Sequence, residues 1–466
     1  MEKTNEKITT VCIPTCNRPE FLHRALIGLV ENLKKYGRAP RILVIDDSEE
    51  PQNAQKTREI CSSHGANYQG KIECMDRNDR AEMAKILAKE KGVSLEVLNF
   101  ALCGDKLSTT TAGAVRNTFL LKTRGEKILI VDDDVVYNFF SPIFEEPPLF
   151  SIENPLEYWF LEGDETPPTS LFKPVEVDLL DIHESMLGKK AGEILGQNIP
   201  DDMKGMEIMD TYMGAYGDSP MESHIPLLLL PQVYEKFKNI SPIQYKAIKG
   251  TRKIIQVPFS TTVYQGPICT SMVVGIDNRQ LPPPFIPIGR AQDLVFGTTR
   301  WTAFPSKLSV YLPILIGHER PDKKIQSAVY NSVHEVTKIN RIIANFIEEE
   351  INNVNINSSE NLQIIGNKFI NIAQKSESEF SLFMETQCQK ITKIVTDHVN
   401  NILKNSPEMP DFWISDMNSM ISELEFSDPK FFMDNITKSP NKNRLTILQK
   451  WMGLYGQLLQ VWYKLL

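Results

Sequence analysis

One short stretch limits what this chain can become. Ile128, Leu129, Ile130 and Val131 form an unbroken aliphatic run, the pattern of a strand buried on both faces. Asp132, Asp133 and Asp134 follow at once, and Val135, Val136 and Tyr137 return to apolar. Three adjacent carboxylates repel one another and are costly to desolvate, so an ordered run of them needs a cation. The carboxyl end of a parallel strand is where an open α/β sheet places its ligand crevice. Oxygen ligands at this spacing suit Mg²⁺ or Mn²⁺ shared with substrate phosphates. Taken alone, three acids could equally form a solvated turn.

The preceding residues supply the sheet for such a crevice. Residues 9–13 read as a strand closed by Pro14, and Asn17 is placed to cap a helix with Pro19 in its first turn. Phe21, Leu22, Ala25, Leu26, Leu29, Val30 and Leu33 recur at three and four, and Gly37 suits the helix end. Residues 42–45 form a second strand ending at Asp46, Asp47 and Ser48, which completes a βαβ unit. Helical stretches are expected over 55–63, 77–91 and 109–121, a short strand over 71–74 and a longer one over 95–102. Alternation of this kind argues for a doubly wound domain.

Beyond Tyr137 the pattern changes. Prolines cluster from Pro142 to Pro174 and periodicity is poor, so residues 138–258 are expected to leave the sheet as an insertion that shapes an acceptor region. Strands are expected again over 254–264, 269–276 and 308–316, with a helix starting near Asp293. From about residue 323 glycine becomes rare and apolar residues take helical spacing, as in Val329, Val333, Val336, Ile339 and Ile343. The expected division is 1–322 as an α/β domain and 323–466 as an all-α domain.

At 466 residues there is ample chain for two domains. A formal charge of −8 disfavours a general nucleic-acid binder. Seven cysteines with no Cys-x-x-Cys pair fit free thiols in a reducing compartment. With a polar N-terminus and no long apolar run, the expectation is a cytoplasmic protein.

Three segments together resemble one family. Val11, Cys12, Ile13, Pro14, Thr15, Cys16, Asn17, Arg18 and Pro19 look like the opening strand of GT-A-fold glycosyltransferases of the family 2 type. Val44, Ile45, Asp46, Asp47 and Ser48 are similar to its second acidic turn. Ala114, Val115, Arg116 and Asn117, then Val131, Asp132, Asp133 and Asp134, look like its helix and metal-binding Asp-x-Asp. The resemblance implies a Rossmann-like, doubly wound, mostly parallel sheet that binds a nucleotide-sugar donor, a UDP-sugar first among them, with Mn²⁺ or Mg²⁺. Pro14, Thr15 and Arg18 would line the nucleoside pocket and Asp47 would bond the base edge, with Asp133 counted among the donor-binding residues. Asp132 and Asp134 would address the metal, joined by His318, which follows an apolar run; a structural histidine is the plainer reading. Arg116 would add positive charge or, as helix arginines usually do, pair with an acid. Gln292 and Asp293 stand where the family has a pair of acids, and Asp293 would be the general base of an inverting transfer; helix capping is its alternative.

The acceptor would be a glycan, a peptide or a lipid-linked intermediate. Trp159, Asp210, Tyr212, Tyr216 and Asp218 are candidates to contact it, and equally candidates for packing. Two other classes compete: a haloacid-dehalogenase-like phosphatase with its nucleophile at Asp132, and a non-catalytic interaction protein acting through its C-terminal helices. Residues 445–466 form an amphipathic stretch that could pair with a second copy or touch a membrane surface.

Overall fold

The computed structural model describes residues 6–144, 146–161, 166–219, 221, 225–320, 338–351, 353, 355, 357–426 and 444–466. Its first third is a run of strands and covering helices: β1 (Ile8–Thr15), α1 (Pro19–Lys35), β2 (Arg41–Asp46), α2 (Pro51–Gly65), β3 (Ile72–Met75), α3 (Arg77–Lys91), α4 (Leu95–Cys103), α5 (Ala112–Lys122) and β4 (Lys127–Val131). Residues at the helix ends explain the boundaries. Pro19 opens α1, and Gly37, at φ +64°, closes it with the Arg38 amide donating to the Leu33 carbonyl at 2.8 Å. Asp76 and Asp79 form a reciprocal cap on α3. The expected Asn17 cap is not made: Arg18 holds the cap position, and Asn17 takes a left-handed backbone and donates its amide to Ser48 Oγ at 2.7 Å.

Residues 95–102 are a helix, not a strand. The run is apolar on nearly every side because α4 is covered on nearly every side, and a short apolar run carries no period to separate the two forms.

The sheet continues through β5 (Val135–Pro142), β6 (Leu149–Ser151), β7 (Glu157–Phe160), β8 (Phe172–Pro174), then past α6 (Leu179–Glu184) and α7 (Ala191–Leu195) into β9 (Glu207–Asp218). After α8 (Pro231–Tyr234) and α9 (Pro242–Gly250) come β10 (Lys253–Val257), β11 (Thr262–Tyr264), β12 (Val273–Asp277), α10 (Gln292–Ala303) and β13 (Lys307–His318). The main strand order is β3-β2-β1-β4-β12-β9-β13-β11-β6, with β10, β7, β5 and β8 branching from it. Pairing is parallel from β3 to β4, between β9 and β13 and between β11 and β6. It is antiparallel where β12 joins β4 and β9.

Residues 138–258 therefore do not leave the sheet. Their longest strand, β9, sits between β12 and β13 in its middle. Tyr212 on that strand is packing, fully buried against Tyr311 with ring centroids 4.9 Å apart. Trp159 on β7 packs edge-on to Phe172 and Phe259.

The remaining described residues are helical: α11 (Ile339–Glu348), α12 (Ser358–Ala373), α13 (Glu377–Asn405), α14 (Asp411–Phe426) and α15 (Arg444–Val461). Of the expected stripe, Ile339 and Ile343 are buried on α11, whereas Val329, Val333 and Val336 lie outside the described residues. One apolar core runs from Cys12 and Leu43 through α4 to Trp451, Leu458 and Leu465. The apolar residues of α15 thus face the protein itself, and the Trp462 indole donates to the Pro282 carbonyl at 2.7 Å. Full burial of side chains of this size stabilises by roughly 1.5–3 kcal/mol each.

Candidate functional site

In the order β3-β2-β1-β4, the chain winds one way from β1 and the other way to β4, so a topological switch point falls between those strands. Thr15 ends β1 and Val131 ends β4. The three acids occupy the corner where β4 turns into β5, and β5 pairs with β13 rather than with β4. The corner is held by backbone bonds: the Asp132 amide donates to the Met272 carbonyl at 2.9 Å, and the Glu319 amide to the Asp134 carbonyl at 2.9 Å.

Each carboxylate has a cation. Arg116 Nη2 lies 3.0 Å from Asp132 Oδ1, Arg18 Nη2 2.5 Å from Asp133 Oδ1, and Arg18 Nη1 2.9 Å from Asp134 Oδ2. Thr15 Oγ1 donates to Asp133 Oδ2 at 2.7 Å. Asp133 is fully buried in these contacts, so it positions Thr15 and Arg18 and does not face a ligand, contrary to the expectation that it binds donor. The Asp132 side chain keeps 27% of its surface exposed. Burial pushes Asp132 up to about 6 against the pull of Arg116, and pushes Asp133 up to about 7 against that of Arg18. For Asp134, burial also works upward, but His318 and Arg18 outweigh it and hold the group below the usual carboxylate range.

His318 ends β13, opposite Val135 and Gly217. A Cβ on Gly217, which has φ +110°, would meet the His318 carbonyl oxygen at 2.3 Å, so only glycine lets the two strands approach here. His318 Nδ1 bonds the Asp218 carbonyl, which leaves Nε2 aimed at Asp134 Oδ1, 3.2 Å away. Burial disfavours the imidazolium, but Asp134 outweighs burial and raises its pKa.

Arg116 joins the corner to α10. Besides Asp132 it donates to the Ser271 carbonyl at 3.1 Å, and its charge reaches Asp293. Asp293 lies in the first turn of α10 but does not cap it; the cap position is Ala291, and Asp293 Oδ1 accepts the Leu294 amide at 3.0 Å. Burial raises the Asp293 pKa and Arg116 offsets part of the rise.

Asp47 is taken up internally. Its carboxylate accepts Arg77 Nε at 2.9 Å, together with Arg80 and the Thr111 hydroxyl, and is nearly buried. A base edge could reach it only by displacing one of these groups. Pro14 lies half-buried on β1, one residue before Thr15.

Sequence reasoning missed the positive charge around the corner. The Arg320 amide donates to Asp218 Oδ2 at 2.8 Å, and its guanidinium pKa is held down first by burial, then by the charges of Arg290 and Arg252. Arg320 stands two residues past His318, which was the available signal; Arg252 and Arg290 arrive from distant segments and left none.

Two donors stand in the relation a divalent cation requires. Asp134 Oδ1 is buried and lies 3.2 Å from His318 Nε2, the spacing of their ion pair and also that of two ligands of one ion. Two ligands of one ion, each at roughly 2.1 Å, are about 3 Å apart when they subtend a right angle. The Asp218 carbonyl on Nδ1 is the outer contact that a metal-ligating histidine ordinarily makes. Asp132, two residues earlier and partly exposed, pairs instead with Arg116. Among the described residues no three His, Cys, Asp or Glu side chains already converge on one point. Substrate oxygens and water would fill the other positions, as is usual for Mg²⁺.

Fold and site define a mixed α/β protein with a largely buried cluster of charges at a switch point, partly exposed at Asp132 and Arg18, and a helical C-terminal region. No family model matches the chain, and no curated protein matches it either. No helix among the described residues is long and apolar enough to cross a membrane.

Proposed function

We propose that the crevice binds a nucleotide-sugar and transfers the sugar to an acceptor hydroxyl. The observation that carries this reading is a run of paired charges across the switch point, His318, Asp134 and Arg18 at one end and Asp132 and Arg116 at the other; Asp293 on α10 feels the Arg116 charge.

In the proposed reaction the acceptor oxygen attacks the anomeric carbon while the bond from that carbon to the phosphate oxygen breaks. The electron pair leaves on the nucleoside diphosphate. Asp293 takes the acceptor proton, and its burial-raised pKa suits a base. Arg18, with Arg320, Arg290 and Arg252 around it, places positive charge where the leaving diphosphate develops negative charge. Asp134 and His318 would hold a divalent cation, which supplies Lewis-acid stabilisation of the leaving group when bound. Arg116 aligns the Asp132 carboxylate and tempers Asp293.

The test is a screen of nucleotide sugars with Mn²⁺ or Mg²⁺, read as thermal stabilisation and slow donor hydrolysis. Stabilisation by at least one donor supports the reading; the same melting temperature with every donor overturns it.

A further inference from the structure

A second cluster of metal-ligating groups lies outside the crevice, on the outer surface of the helices that cover β1 and β2. His23 projects from α1 and His64 from the last turn of α2, and His23 Nδ1 is 3.0 Å from His64 Nε2. The rings are tilted by 58° with centroids 5.0 Å apart, so their faces do not stack; without a metal the two nitrogens share one proton in a hydrogen bond, which an ion bound to both would replace. We propose that His23 and His64 form a two-histidine site for a borderline divalent transition metal such as Zn²⁺, Ni²⁺ or Cu²⁺, stapling α1 to α2.

Imidazole nitrogens bind such ions at roughly 2.0–2.1 Å, which sets two tetrahedral ligands about 3.3 Å apart. The observed spacing falls short of that by a few tenths of an ångström, which a small ring rotation supplies. His23 is exposed and His64 half-buried, so water can take the remaining positions. Glu20, one turn before His23 on α1, faces Lys56 of α2 at 3.8 Å, and among the described residues no third His, Cys, Asp or Glu joins the pair. Imidazole prefers Cu²⁺, Ni²⁺ and Zn²⁺, whereas carboxylate and water suit Mg²⁺ and Mn²⁺. His318 at the other centre is an imidazole too, so the two centres are separated by substitution of His23 and His64, and this inference does not rest on the proposed reaction.

The test is calorimetric titration of the full chain with Zn²⁺ in excess Mg²⁺, which occupies oxygen sites. The expected result is a Zn²⁺ binding event that weakens on the order of tenfold or more in both His23→Gln and His64→Gln. Both side chains are at the surface, and the two variants should melt like the parent in the presence of a chelator. A parent without a Zn²⁺ event overturns the assignment. So does a variant of either residue that keeps the parent affinity.

Discussion

Two charged centres belong to strands of the same sheet, and they differ in one respect. At the corner after β4, three carboxylates meet Arg18, Arg116 and His318 with an edge left open at Asp132. Between β9 and α10, Asp210 and Arg300 form a pair with no exposed side-chain surface, 3.2 Å apart, and Arg300 also donates to the Gly266 carbonyl at 2.6 Å. The sealed pair has nothing to exchange with solvent and serves the packing of β9 on α10. The open one can trade a protein cation for a ligand. Burial of charge is common to both, so accessibility separates the structural centre from the candidate functional one.

The contrast can be broken by substitution. Asp293→Asn, at the open centre, should reduce sugar transfer by roughly 10²–10⁴-fold while nucleotide binding and melting temperature stay near the parent; unchanged turnover would remove the base assignment. Arg300→Leu, at the sealed centre, leaves Asp210 buried and unpaired and should cost about 3–5 kcal/mol in urea unfolding. A loss below about 1 kcal/mol would show that Asp210 is neutral in the fold.

A third measurement uses acid. His183 is fully buried against Thr211 Oγ1 at 2.7 Å, and burial pushes its pKa down to about 3. The unfolded chain takes up a proton near pH 6.5 while the folded chain stays neutral, so this group's contribution weakens as pH falls below that value. The expected loss is about 2 kcal/mol at pH 5, and His183→Asn should flatten the dependence between pH 7 and 5. Smaller still, Thr15→Val removes one donor from buried Asp133 and should cost about 1–3 kcal/mol. Arg24→Ala, breaking the exposed pair with Glu319, should cost under about 1 kcal/mol. A Thr15→Val effect no larger than that of Arg24→Ala would mean that Asp133 is not sealed.

Much of the open centre could be read from the chain because its parts are local. Apolar runs stop at Pro14, at Asp46 and at Asp132, and each stop is a strand end. Residues 77–91 carry their own caps and form the helix expected of them. The sealed centre could not be read. Its strand, β9, interrupts its apolar residues with Asp210 and Thr211, which are buried only because Arg300 and His183 reach them from far along the chain. The same holds for Asp47: its turn is evident, but Arg77, Arg80 and Thr111, which occupy its oxygens, become neighbours only on folding.

The stitching of α15 onto the α/β body has a consequence for synthesis. Arg124 and Lys91 bond the carbonyls of Leu465 and Leu466, and Trp451 bonds Asp105 at 2.9 Å, so part of the wall that covers α4 comes from residues some 346 positions further along the chain. As the polypeptide leaves the ribosome, the side of α4 that packs on α15 waits for hundreds of residues before its cover arrives. The nascent protein therefore presents an oily flank until that segment emerges, which makes it a natural client for chaperones that shield such surfaces.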